Sequence, residues 1–107
     1  MRTIDQIVED FVREAKVDYV GLWQIANAVA TEFQLTEALE VRRLSLIVIS
    51  RLLNLRLQAV DLATSGGGCQ PWESQVHNYI IERIASEWDE LGHEPDIGDV
   101  VWFNAPR

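Results

Sequence analysis

Leu39-Glu40-Val41-Arg42-Arg43-Leu44-Ser45-Leu46-Ile47-Val48-Ile49-Ser50-Arg51-Leu52-Leu53 is the stretch that decides the fold. Its aliphatic residues cover more than one side of a helical wheel. A helix that is apolar around so much of its circumference belongs in the middle of a domain. The reading is a third helix from Glu37 to about Leu53, with Thr36 as N-cap, Glu37 favourable in the first turn and Asn54 as terminator.

Working upstream, Leu22, Ile25, Ala26, Val29 and Phe33 share one face of a second helix, Leu22 to Phe33. Ala26, Ala28 and Ala30 keep it slim, which suits close packing against a neighbouring helix. Asp18-Tyr19-Val20-Gly21 before it reads as a short extended piece, since Gly21 lowers helix propensity by about 1 kcal/mol relative to Ala. Ile4, Ile7, Val8, Phe11, Val12 and Ala15 recur at three- and four-residue steps and define a first amphipathic helix, with Thr3 as N-cap.

Downstream, Arg56 to Leu62 alternates like a strand. Thr64-Ser65-Gly66-Gly67-Gly68 reads as a turn. Pro71 is placed near the start of a fourth helix whose buried stripe is Trp72, Val76, Ile80, Ile84, Trp88 and Leu91, ended by Gly92. Val100 to Phe103 closes the chain as a short apolar strand. In that strand Trp102 and Phe103 must point to opposite faces, so one of them is exposed or covered by another element.

The chain has 107 residues, one cysteine and a net charge of −8, with 48% hydrophobic and 24% charged residues. These values describe one globular domain and not a disordered chain. The acidic balance repels nucleic acid and anionic membrane and suits a cationic partner. No apolar run reaches membrane-spanning length, and Met1 to Phe11 lacks the apolar stretch of a signal peptide. The lone Cys69 excludes an internal disulfide and points to a reducing, cytoplasmic setting.

The order helix, extended piece, helix, helix, strand, with a closing strand, resembles a winged helix, in which three helices pack beside a small antiparallel sheet. The resemblance covers Ile4 to Leu62 plus Val100 to Phe103 and is carried by element order, with Asp18-Tyr19-Val20-Gly21-Leu22-Trp23-Gln24-Ile25 leading into the second helix. The fourth helix makes this a modified version. The closing stretches Glu87 to Gly92 and Ile97 to Phe103 are also similar to the C-termini of small uncharacterised bacterial proteins. A winged helix implies a third helix set in the major groove of DNA, which here would present Arg42, Arg43, Arg51 and Arg56. No acid lies between Val41 and Leu57, yet the residues around these arginines are mostly aliphatic, and Glu37 and Glu40 flank them. Pairing with acids from neighbouring helices is the plainer reading.

Other candidate chemistry is thinner. The glycine tract lacks the Lys-Ser/Thr ending of a phosphate loop, and no lysine follows Lys16. Cys69 with His77 as base is a possible nucleophile pair without an orienting third group. His93 among Glu90, Glu94, Asp96 and Asp99 has ligand types but no metal-binding spacing. No cofactor, metal or catalytic residue is therefore assigned. From Gln58 to Arg107 nine acids face two arginines, and Trp72, Trp88, Trp102 and Tyr79 fall in the same half. Rings beside carboxylates can anchor a partner protein while the acids steer it.

The expectation is thus a mainly α fold with a small antiparallel sheet of two or three strands, winged-helix-like with an extra C-terminal helix. Its expected role is non-catalytic protein binding through Trp102, Phe103, Glu87, Asp89 and Glu90. The partner is another protein or a second copy of the chain; an immunity-type or antitoxin-type protein masking a basic toxin would use such a surface. DNA binding through the four arginines is the alternative.

Overall fold

A computed structural model describes residues 1–62 and 68–106. The elements run α1 (Ile4–Ala15), β1 (Val20–Gly21), α2 (Leu22–Glu32), α3 (Ala38–Asn54), β2 (Gln58–Leu62), β3 (Cys69–Pro71), α4 (His77–Leu91) and β4 (Trp102–Asn104). The fold is mainly helical with a small antiparallel sheet, as the apolar periodicities require. Among the described residues the sheet has four strands, ordered β1-β4-β2-β3, and the last strand lies between the first two. Among the described residues no helix is long and apolar enough to cross a membrane.

Helix α3 packs against α1, α2 and α4 and is the hub of the helical layer. Ser45, Val48, Ile49 and Leu52 form its buried face. Its other aliphatic residues are only partly covered, and Leu39 is 77% exposed. The helix is central without being buried all round: Val41, Leu44, Leu46, Ile47 and Leu53 are half-buried along its length. Its N-cap is Glu37 and not Thr36, with no side-chain cap bond. Helix α1 starts as its sequence implies: Thr3 and Gln6 cap each other reciprocally. Arg2 then joins α1 to α2, donating from Nε to Glu32 Oε1 at 2.6 Å and from Nη1 to Asp10 Oδ2 at 2.8 Å. These hydrogen bonds hold the Glu32 and Asp10 carboxyls below their ordinary pKa values.

Two sequence expectations fail at the fourth helix and the last strand, for definable reasons. Trp72 and Val76 fit the apolar period of α4 but precede it. The Gln75 side chain acts like a strand peptide: Oε1 accepts from Ala59 N at 3.0 Å, and Nε2 donates to Ala59 O at 3.0 Å. Trp72 N also donates to Ala59 O. The chain is therefore held extended along β2, Pro71 ends β3, and Val76 becomes an exposed N-cap. Trp72 is buried from this extended segment, with Arg83 stacked 3.7 Å from its ring centroid. At the other end Val100 has φ +67°, which is not extended backbone, and Val101 N donates to Asp99 O across it. Strand β4 begins only after this tight turn. Thr64 to Gly67 of the expected glycine turn lie outside the described residues.

Helix α3 stops at Asn54, and the left-handed residue that closes it is Arg56, two residues on. Arg56 sits at φ +72°, with its N donating to Leu53 O and Leu57 N donating to Leu52 O, the two bonds of a Schellman motif. Leu57 packs into the core beside it. An L-residue with a Cβ in this conformation costs about 1 kcal/mol that glycine avoids. Arg56→Gly is accordingly expected to raise stability by about 1 kcal/mol in urea unfolding. A loss of stability would show that the Arg56 side chain holds a compensating contact.

Candidate functional site

The cross-strand register decides the fate of the closing aromatic pair. Phe103 pairs with Val20 on one side and Ala59 on the other, all three fully buried on the helix-facing side. Trp102 pairs with Gly21 and Val60 on the opposite face and is half-buried. Phe103 is thus a core residue, and its expected place in a partner surface is corrected: the alternation that exposes one ring buries the other. The remaining residues of that expected surface have different surroundings. Glu87 is committed to Arg83, 2.6 Å away on the same helix. Asp89, beside Arg42, lines a cleft in the helical layer, and Glu90 is exposed beside it at the end of α4.

The arginines of α3 are distributed differently. Arg42 is the least exposed of the paired ones; its Nη2 donates to Asp89 Oδ2 and to Ala85 O, both at 3.3 Å. Arg43 pairs with Glu40 at 2.9 Å on its own helix, and Arg51 pairs with Asp5 of α1. Arg56 closes the helix in the left-handed conformation. Three of the four positive charges are therefore answered by carboxylates.

Cys69 and His77 have different partners. Asn104 Nδ2 lies 3.8 Å from the Cys69 sulfur, and a hydrogen bond between the thiol and Tyr19 pushes the phenol pKa up, with burial adding to it. His77 Nε2 lies 2.8 Å from Ser50 Oγ and ties the start of α4 to the end of α3. His93 Nδ1 lies 2.7 Å from Glu94 O. Among the described residues no group of three His, Cys, Asp or Glu side chains is arranged to hold a metal.

What sequence reasoning missed is the cleft itself, about 510 Å³ between α2, the start of α3 and the end of α4. Helix α2 supplies Trp23, Ala26, Asn27 and Ala30; α3 and the turn before it supply Leu35, Leu39, Val41 and Arg42; α4 and its exit supply Trp88, Asp89, His93, Glu94 and Pro95. The volume falls in the range of ligand sites and the lining is mostly apolar. Helix α2 packs against α3 as its alanines allow, with Ala26 and Ala28 in or against the core, while Ala26 and Ala30 also border this hollow. Its charged lining is Asp89 and Glu94 against Arg42, and the chain around Asp89 and Glu94 is acidic. From Ile84 to Pro106 there are six acids and no Lys or Arg, and α4 has no basic residue in its last turn. Glu87, Asp89 and Glu90 therefore sit toward the negative end of the helix macrodipole, where acids are unfavourable by roughly 0.3–1 kcal/mol each. Among the described residues Glu37, Glu90 and Glu94 have no ion-pair partner.

No family model, curated protein or solved structure matches this chain.

Proposed function

We propose that this chain is a non-catalytic module that binds a basic partner protein, with the end of α4 and its exit, from Asp89 to Glu94, as the recognition surface. One observation carries this reading. Glu90 and Glu94, at the negative end of α4 and just beyond it, have no ion-pair partner among the described residues, and no Lys or Arg lies between Ile84 and Pro106. That arrangement is costly in the free protein and is relieved when a cation arrives. Masking of a basic toxin or nuclease is one role that would use it. Duplex DNA binding through α3 has less support, because Arg42, Arg43 and Arg51 are each paired with a carboxylate.

The test is fluorescence anisotropy with a labelled peptide of Lys and Ser only, at low and high salt. Binding is expected, weakening with salt and lost in Glu90→Lys/Glu94→Lys, but kept in Glu9→Lys/Glu82→Lys, which changes net charge equally elsewhere. Equal loss in both double variants would reduce the effect to net charge and overturn the assigned surface. Binding of duplex DNA that disappears in Arg43→Glu and Arg51→Glu would replace this reading with a DNA-binding one.

A further inference from the structure

The cleft and the carboxylates at its edge together specify more than a positive charge. We propose that the cleft seats an amphipathic basic helix contributed by the partner protein, an inference that rests on the reading of the chain as a protein-binding module. The floor is the α2 stripe Trp23, Ala26, Asn27 and Ala30, whose spacing of three, one and three places it along one helix face for about 10 Å, two turns. Its alanines lower the floor between the larger side chains of α3 and α4. A groove of that length accepts apolar anchors at i, i+3 or i+4, and i+7 of a docked helix.

Three further features narrow the occupant. Leu39 lines the cleft yet is 77% exposed, so its apolar surface extends past the hollow. A small molecule filling the cavity would cover only the part of Leu39 that lines it, whereas a chain segment lying across the opening covers the rest. The lining comes from helices and the turns that join them, with no sheet edge on which an extended peptide could add a strand. The charge left over in the lining is negative: Arg42 is already held by Asp89 and the Ala85 carbonyl, while Glu94 has no ion-pair partner among the described residues. The docked helix therefore carries Leu- or Met-type anchors on one face and Lys or Arg on the flank that meets the end of α4.

The probe is a labelled helix-forming peptide of about 15 residues built from Leu and Lys with the leucines on one face, set against a scrambled peptide of the same composition. Anisotropy reports binding, and the emission of Trp23 and Trp88 reports occupation of the cleft. The amphipathic peptide is expected to bind at least about tenfold more tightly than the scrambled one, to shift the tryptophan emission, and to lose about tenfold in affinity in Leu39→Arg. Leu39 is exposed, so the circular dichroism of that variant stays unchanged. If both Leu/Lys peptides bind equally, or if Leu39→Arg binds as the parent does, the cleft is not the seat and this inference falls. The acidic-surface reading would then still stand on its binding of the Lys/Ser peptide. If no basic peptide binds, both readings fall together.

Discussion

Phe103→Ala is expected to lower the unfolding free energy by about 3–5 kcal/mol, the largest effect of any single substitution considered. Phe103 is fully buried and is the largest of the wholly enclosed side chains. It lies on β4 between Val20 of β1 and Ala59 of β2, so its removal hollows the centre of the sheet's inner face. Neither neighbour can fill that space, since Ala59 is small and Val20 is fixed by a two-residue strand. Domains of this size are stable by roughly 5–15 kcal/mol in total, and the variant is expected to be partly unfolded at 37 °C. Phe103→Leu, which keeps most of the volume, should cost less than about half as much. Urea unfolding followed by circular dichroism decides the matter. A loss below about 1 kcal/mol for the alanine variant would mean that Phe103 is not a core residue, and would return it to the list of partner contacts. The result also guards the interpretation of binding data: a Phe103 variant that fails to bind has lost its fold before it has lost a contact.

Much of this architecture is legible in the residues. The apolar steps of Ile4 to Ala15 and the breadth of the apolar surface from Leu39 to Leu53 locate α1 and the central α3, and Gly92 at φ +70° ends α4 where its sequence places it. The period of Trp72, Val76, Ile80 and Ile84 misleads, because a stripe reports side-chain spacing and says nothing of competing hydrogen bonds. The amide of Gln75 captures the Ala59 backbone across sixteen residues of sequence, and no local pattern announces that bond. Strand β3 is missed for the same reason: three residues containing Pro71 carry little strand signal without β2 beside them. The candidate site is half legible. Asp89 and Glu90 stand out by charge, but the cleft is lined by residues of α2, α3 and α4 that are far apart in sequence. Alanines at helical spacing read the same whether a helix covers them or leaves them open.

Gly21→Ala is expected to destabilise the fold by about 1–3 kcal/mol although its backbone, at φ −91°, is open to any residue. The requirement for glycine here is one of space. A Cβ at this position would lie 2.8 Å from Trp23 Cδ1, 2.9 Å from Trp23 Nε1 and 3.1 Å from Trp102 Cζ3. The backbone cannot retreat, since Gly21 N is bound to Gln24 Oε1 at 2.7 Å and Leu22 N to Val101 O at 3.2 Å. The Trp23 ring must yield instead. Its buried N–H has no acceptor among the described residues, so packing alone holds it. Because Trp23 also forms part of the cleft floor, its displacement should weaken binding of the Leu/Lys peptide along with stability. Trp23→Leu removes the collision, and Gly21→Ala/Trp23→Leu should therefore be more stable than the sum of the single changes implies, by 0.5 kcal/mol or more on the usual scale for touching residues, roughly. Strict additivity in the double-mutant cycle would show that the two sites do not meet. A positive coupling would instead tie the only glycine of β1 to the shape of the cleft, through one indole ring.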